Sequence, residues 1–244
     1  MKKKTKLLIF VVAYNAEKTI ESVINRIPKK LSLIYDIEVL IIDDCSKDHT
    51  FKICKEIFKS KKSYFKLNIL YNPKNQGYGG NQKIGYHYSI KKKFDFVVLL
   101  HGDGQYAPEE LPKLMSGLEK NKYDVVMGSR MINKKNALKG GMPFYKLVGN
   151  IVLTKVQNFL LNTKLAEFHT GYRIYSIKSL KKIPFHLNTQ DFHFDTEILI
   201  QLFLINAKIK EISIPTFYGD EICHVNGIKY AFDVVKTTST AVLQ

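Results

Sequence analysis

Tryptophan is absent from this 244-residue chain, and cysteine is scarce. Cys45, Cys54 and Cys223 show neither the paired spacing of a structural metal site nor that of a disulfide framework. Long apolar runs are also lacking, because no stretch approaches the ~18–20 residues that a membrane-spanning helix needs. The short apolar run at residues 7–13 follows N-terminal lysines but has no evident signal-cleavage site, so it is interpreted as a buried strand. These absences predict a reduced, cytoplasmic protein.

Acidic residues are few as well. The chain has 22 Asp and Glu against 38 Lys and Arg, which gives a formal net charge of +16. The excess indicates either a solvated lysine-rich surface or attraction to an anion such as a nucleotide, a nucleic acid or an acidic membrane face. No nucleic-acid-binding motif is found, so we expect no nucleic-acid partner. The hydrophobic share of 45% excludes a disordered chain.

The hydrophobic pattern predicts an α/β fold. Over the first 130 residues, apolar β-branched runs alternate with helical periodicity, which is typical of an open, mostly parallel sheet flanked by helices. The run at residues 94–100 is the most hydrophobic and is expected near the centre of the sheet. Strands are predicted at residues 6–14, 36–43, 65–71, 94–100 and 123–127, with helices at 17–31 (capped by Asn15), 48–58, 80–90 and 108–119.

The pattern of polar and apolar residues changes after Arg130. Residues 131–142 are polar and are predicted to form a mobile loop, and residues 144–161 follow with a long apolar helical pattern. A strand at 171–176, a helix at 194–206 and a strand at 209–214 complete the predicted elements.

Polar residues and glycines recur where the predicted strands end. In open α/β sheets, ligands bind outside the carboxyl ends of the strands, so these positions form the candidate site. They are Ala13, Tyr14 and Asn15 after the first strand, Asp43 and Asp44 after the second, NQGYGGN at 75–81 after the third, and HGDGQ at 101–105 after the central strand.

The HGDGQ segment gives the sharpest chemical signal. Asp103 lies between two glycines, which let the backbone bend and let a ligand approach closely. A carboxylate there, beside the amide oxygen of Gln105, suits a hard divalent cation such as Mg²⁺. Such an ion neutralises a diphosphate. A plain Asp-Gly turn is the alternative.

The Asp43–Asp44 pair and the NQGYGGN segment are each weaker evidence for a ligand site than HGDGQ. Asp43 and Asp44 face opposite ways on a strand, so at most one of them points into the site, where it would recognise a base or a ribose. The alternative is a helix cap formed with Ser46. The NQGYGGN segment lacks both the GxGxxG spacing of dinucleotide binders and the lysine of a P-loop.

Taken together, these segments resemble the family 2 glycosyltransferases of the GT-A fold, and within them the dolichyl- or polyprenyl-phosphate sugar synthases and their bacterial relatives. The similarity keeps the family's order along nearly the whole chain. The matching segments are AYNAEKTI, IEVLIIDDCSKDHT, NQGYGGNQKIG, VVLLHGDGQYAPEELP, VVMGSR, FHTGYRIYS and DFHFDTEILIQ.

The resemblance implies a single GT-A domain over residues 1–244, with a nucleotide-sugar-binding half at 1–130 and an acceptor-binding half at 131–244. It implies a hexosyltransferase that uses a UDP- or GDP-linked sugar and Mg²⁺ or Mn²⁺. The implied nucleotide-binding residues are Ala13, Tyr14, Asn15, Asp44, Gly80 and Asp103; the metal ligands are Asp103 and Gln105; and Arg130 and Arg173 would meet phosphate of the donor or of a phosphorylated acceptor.

Departures from the family pattern matter. His101 stands where the family has the first Asp of D-x-D, and we interpret it as a satisfied core histidine. Binding of Mn²⁺ and a hydrogen bond to the sugar are the alternatives. Val12 replaces the usual Pro and Ala16 the usual Glu, and Tyr78 stands where the glycine-rich loop often has a basic residue.

The family inverts the anomeric centre by a single in-line displacement. An alcohol acceptor then needs a general base, for which Asp195 is the first candidate, followed by Glu197 and Asp191. A phosphate acceptor is already anionic and needs none, in which case Arg130 and Arg173 position it.

The acceptor implied by the resemblance is a polyprenyl phosphate or a cell-envelope glycan. The helix at 144–161 is more apolar than one buried face requires. Its excess surface would be core, a homodimer contact or a lipid-touching face that places the protein peripherally at the inner face of the cell membrane.

Two other functions remain open. A sugar nucleotidyltransferase would need a G-x-G-x-R segment after the first strand, where this chain has AYNAEKT. A non-catalytic nucleotide-sugar-binding protein is favoured by the His101 departure.

Overall fold

The computed structural model describes residues 4–60, 63–118, 122–218 and 226–243. Within these ranges, seven strands form one sheet in the order β3-β2-β1-β4-β6-β5-β7. Only β6 runs antiparallel to its neighbours. The mostly parallel α/β sheet is therefore confirmed, and β4 is central as predicted. The strands are β1 (Thr5–Ala13), β2 (Tyr35–Asp43), β3 (Lys66–Tyr71), β4 (Phe96–His101), β5 (Val125–Ser129), β6 (Arg173–Ser176) and β7 (Ile209–Ser213).

Helices cover both faces of this sheet. Short 3-10 helices lie at Lys29–Leu33, Pro108–Glu110 and Phe185–Leu187. The α-helices are α1 (Ile20–Asn25), α2 (Thr50–Lys59), α3 (Tyr78–Lys91), α4 (Leu111–Ser116), α5 (Lys134–Lys139), α6 (Phe144–Leu161), α7 (Ile177–Leu180), α8 (Phe194–Leu204) and α9 (Gly227–Val242). In the described ranges, none of them is long and apolar enough to cross a bilayer.

The core has two layers because β1 is buried on both faces. Leu7 and Ile9 pack on one side of the sheet with α1, α2 and α4. Leu8 and Phe10 pack on the other side with α3 and α8. This alternation explains the continuous apolar run in β1, since side chains of a strand point alternately to opposite faces.

The helix predicted at residues 17–31 is wrong in its extent. The α-helix covers only Ile20–Asn25, and a 3-10 helix follows at Lys29–Leu33. Pro28 accounts for the break, because it lacks a backbone N–H and disfavours helical geometry at the residue before it. The predicted cap is also wrong: Thr19 is the N-cap residue, whereas Asn15 has a left-handed backbone and its Oδ1 accepts from Lys47 N at 2.9 Å.

The second half holds three α-helices that the pattern did not reveal, α5, the short α7 and α9. The predicted loop at 131–142 contains α5, whose N-cap Asn133 accepts from Asn136 N and whose Ala137 is fully buried. Helix α9 was not predicted at all. Residue 119, at the end of the predicted helix 108–119, and Cys223 lie outside the described residues.

Two glycines offer a matched test of packing. A Cβ at Gly85 on α3 would overlap the Phe10 ring of β1, whereas a Cβ at Gly149 on α6 would meet nothing within 4 Å. Gly85→Ala is expected to lower the free energy of unfolding by ~1–3 kcal/mol through overpacking. Gly149→Ala is expected to raise it by ~0.5–1 kcal/mol through reduced chain entropy. Urea unfolding of both variants checks this, and shifts of the same sign would contradict the packing of α3 on β1.

Candidate functional site

The carboxyl ends of three neighbouring strands meet at one edge of the sheet. Asp44 N donates to Ala13 O, and Gly102 N donates to Val12 O, each at 2.9 Å. These bonds continue the ladders of β1 with β2 and of β1 with β4 past the last paired residues. The edge predicted from the sequence is therefore assembled as expected.

Asp44 anchors the glycine-rich segment to this edge. Its Oδ1 accepts from Asn72 Nδ2 at 2.7 Å and from Gln76 N at 2.8 Å, and the residue is buried. Asp43 instead closes a turn, because its Oδ1 accepts from Ser46 N at 2.8 Å. Its Oδ2 is buried and has no hydrogen-bond partner among the described residues, and burial raises the pKa of this carboxyl.

The remaining predicted nucleotide-binding residues lie beside Asp44. Ala13 is buried at the end of β1, while Tyr14 is 38% exposed. Gly80 lies in the first turn of α3, where an added Cβ would stand 2.9 Å from Gln76 Cβ. The absence of a side chain at Gly80 thus lets the loop fold back on its own helix.

Asp103 follows β4 directly and is partly exposed. Its Oδ1 accepts from Gln105 N at 3.0 Å, and no other hydrogen bond to this carboxylate is found in the part of the chain that the structure describes. Gln105 is also partly exposed. A carboxylate with an uncommitted oxygen beside an amide oxygen fits Mg²⁺ or Mn²⁺, which prefer oxygen ligands and keep several waters.

The imidazole of His101 contacts two tyrosine rings. Its Nε2 lies 3.3 Å from Tyr78 Oη, and its ring packs edge-on against those of Tyr78 and Tyr106. Burial lowers the pKa of His101, so the ring is neutral at physiological pH. The contacts agree with the interpretation of His101 as a satisfied core histidine.

Asp195, the first candidate base, is enclosed. It is only 5% exposed, and its Oδ2 accepts from Tyr78 Oη at 2.8 Å. Its Oδ1 accepts from Gln82 Nε2 at 3.4 Å and lies 3.7 Å from an Arg173 nitrogen. Tyr78 therefore links the histidine of β4 to the carboxylate of α8, a role that the sequence did not predict.

The other two candidate bases are also engaged. Glu197 Oε2 accepts from Thr189 N at 2.6 Å, which ties α8 to the segment before it. Asp191 Oδ2 accepts from Lys229 Nζ at 2.8 Å, and this bond holds the pKa of Asp191 below its usual value. All three carboxylates thus have protein partners.

Arg173 is engaged with the backbone of the protein, and its predicted contact with phosphate stays a prediction. Its side chain is fully buried, and its guanidinium donates to the backbone oxygens of Phe168, Thr170 and Asp195 at 2.7–2.8 Å. Through its bond to the backbone oxygen of Asp195, Arg173 supports the start of α8.

Arg130 forms a buried ion pair with Glu167. Its Nε lies 3.0 Å from Glu167 Oε1, its Nη2 contacts the same oxygen, and its backbone N donates to Oε2 at 2.7 Å. Burial alone would raise the pKa of Glu167, but the Arg130 guanidinium outweighs burial and holds that pKa below the usual value. Glu167 was missed in the sequence analysis, because it lies 37 positions from Arg130 and no local pattern connects the two residues.

A second group of ligating side chains was missed. Ligand atoms of Asp191, His193 and Asp233 lie within 4.8 Å of one another. Lys229 Nζ stands 2.8 Å from Asp191 Oδ2 and 4.0 Å from Asp233 Oδ2, so the protein's own ammonium offsets part of the charge of these two acids. Asp233 and Lys229 lie on α9, which the sequence analysis did not find.

Comparison with known proteins agrees with this geometry. The family model described as Glycosyl transferase family 2 matches residues 8–184. A UDP-N-acetylglucosamine–dolichyl-phosphate N-acetylglucosaminyltransferase of Methanococcus voltae is 30% identical over 88% of this chain and 86% of its own length.

One further sequence match and one solved structure are less similar in sequence. A polyprenol monophosphomannose synthase of Mycolicibacterium smegmatis is 23% identical over 72% of this chain and 63% of its own length. A crystal structure of glucosyl-3-phosphoglycerate synthase from Mycobacterium tuberculosis, in complex with Mn²⁺, UDP and phosphoglyceric acid, superposes with a TM-score of 0.69 at 17% identity. The match covers 98% of this chain and 78% of the other.

Proposed function

Because this chain belongs to glycosyl transferase family 2 and has the GT-A fold, we propose that it transfers a sugar from a UDP- or GDP-linked donor to a polyprenyl phosphate. The single observation that carries the choice of acceptor is that Asp191, Asp195 and Glu197 all have protein partners. The names of the relatives from Methanococcus and Mycolicibacterium support the same acceptor class.

Residues 1–130 bind the donor in this proposal. Ala13, Tyr14, Asn15, Asp44 and Gly80 would line the nucleoside site. Asp103 and Gln105 would hold Mg²⁺ or Mn²⁺. When bound, such an ion neutralises the diphosphate and stabilises the charge that develops on it as it leaves.

The acceptor phosphate is bound beside Arg130, in the half of the chain formed by residues 131–244, and the exposed side of α6 takes no part in this site. A phosphate oxygen of the acceptor attacks the anomeric carbon as the bond from that carbon to the nucleoside diphosphate breaks, and the configuration inverts. The attacking oxygen carries no proton to remove, so no carboxylate has to act as a base. Arg130 supplies positive charge near this oxygen, although it is shared with Glu167.

Asp195 and Arg173 take supporting roles. We assign Asp195 as a positioning residue that holds Tyr78, whose ring stacks on Phe192 at 5.3 Å between centroids. Arg173 in turn fixes Asp195 through its backbone oxygen. Together they shape the wall of the site between β4 and α8.

A matched pair of acceptors tests the proposal. A polyprenyl phosphate and the polyprenol of the same chain length are each incubated with a panel of UDP- and GDP-sugars and Mn²⁺, and products are identified by mass spectrometry. We expect a phosphodiester in which one phosphate joins the sugar to the polyprenyl chain, and no product from the alcohol. Transfer to the alcohol would contradict the proposed acceptor, and nucleotide binding without transfer to either would favour a non-catalytic sugar-nucleotide-binding protein.

A further inference from the structure

Helix α6 buries Leu147 but exposes a stripe of apolar side chains on its other side. Thr154 and Gln157 are buried on its inner side. Apolar side chains with i, i+3 and i+4 spacing cover the outer side instead. We call this outer stripe the α6 face; it consists of Tyr145, Val148, Val152 and Phe159, which are 41–84% exposed.

The apolar surface extends beyond α6. Phe144 at the start of the helix is 71% exposed, and Leu138 on the preceding α5 is exposed as well. Helix α9 packs beside α6 and exposes Ile228 and Phe232. Contiguous exposed apolar surface of this kind marks an interaction site rather than ordinary surface.

The charged residues in the segment that carries the α6 face have one sign. Residues 131–166 contain no Asp or Glu. They contain six lysines, three of which lie in α5. An apolar stripe with aromatic residues and a lysine border matches an interface between lipid headgroups and acyl chains, where anionic headgroups attract the lysines. The lysines are Lys134, Lys135, Lys139, Lys146, Lys155 and Lys164.

We propose that the α6 face docks the protein on the surface of a membrane that contains anionic lipids. Tyr145, Val152 and Phe159 enter the boundary between headgroups and acyl chains, while the lysines remain at the headgroup level. The surface is assigned from exposure and charge alone. Membrane docking does not itself depend on the proposed function. Its role rests on that function, because a polyprenyl phosphate acceptor is held in a bilayer.

Vesicle co-sedimentation tests the docking surface. We compare phosphatidylcholine vesicles with vesicles that also contain phosphatidylglycerol, using the wild-type protein and Val152→Ser/Phe159→Ser. The wild type is expected to bind the anionic vesicles at least about tenfold more tightly than the neutral ones, and the variant is expected to lose about tenfold. Leu33→Ser/Phe58→Ser, which removes two exposed apolar side chains outside residues 131–166, should bind like the wild type.

Other outcomes overturn the proposal. Equal binding by the wild type and Val152→Ser/Phe159→Ser, or no binding by the wild type, would contradict it. A dimer that analytical ultracentrifugation detects for the wild type but not for this variant would show that a second copy covers the α6 face instead.

A transfer assay separates this inference from the proposed function. With a short-chain, water-soluble prenyl phosphate as acceptor, Val152→Ser/Phe159→Ser is expected to retain wild-type transfer while failing to bind vesicles. Absence of transfer by the wild type would count against the proposed function, whereas the vesicle result would still decide the docking surface.

Discussion

Asp103→Asn is expected to lower metal-dependent sugar transfer by roughly 10²–10³-fold, because it removes the charge that would hold a cation on the diphosphate. The substitution preserves shape. The amide oxygen of asparagine can still accept from Gln105 N, the bond that closes the turn after β4. The thermal midpoint should therefore stay near that of the wild type while kcat/KM for the donor falls.

Asp36→Asn is the matched control for this experiment. Asp36 is exposed near the start of β2, at the opposite end of the sheet from the site. Asp36→Asn removes one negative charge, as Asp103→Asn does, and should leave kcat/KM and its dependence on Mn²⁺ unchanged. If Asp103→Asn retained wild-type dependence on Mn²⁺, the assignment of Asp103 as a metal ligand would be wrong.

Glu167→Ala is expected to lower the free energy of unfolding by ~3–5 kcal/mol, because it leaves the buried Arg130 guanidinium without its counter-charge. The glutamate side chain is fully buried and accepts from both the backbone and the side chain of Arg130. For a chain of this length, such a loss corresponds to a fall in thermal midpoint of roughly 6–20 °C.

The exposed pair between Arg26 and Glu109 provides the comparison. Glu109→Ala breaks an ion pair of similar geometry, with a distance of 2.6 Å, whose glutamate side chain is 51% exposed. Its effect should not exceed about 1 kcal/mol, because solvent screens the pair and already hydrates both charges. Calorimetry that found equal, small shifts for both variants would contradict a buried ion pair at Glu167.

The sheet was predictable from the sequence for a physical reason. Strands β1, β2 and β4 are buried on both faces, so their apolar runs are continuous and unmistakable. The position of Asp103 followed from the same pattern, since the carboxyl end of the central strand is where a ligand-binding segment is expected.

The structure of residues 131–244 was harder to predict from the sequence, because its features depend on tertiary contacts. Helix α9 begins at Gly227, after its N-cap Asn226, and its buried residues are Val234 and Thr238. The pairing of Arg130 with Glu167 joins two segments that local patterning cannot connect. The partner of Asp195 was missed for the same reason, because Tyr78 lies 117 positions away.

The most direct test of the central claim is a crystal structure with UDP or GDP and Mn²⁺, in which anomalous scattering locates the manganese. The account predicts a manganese peak beside the Asp103 carboxylate with the diphosphate bound to it. A peak among Asp191, His193 and Asp233, or a diphosphate bound away from Asp103, would contradict it.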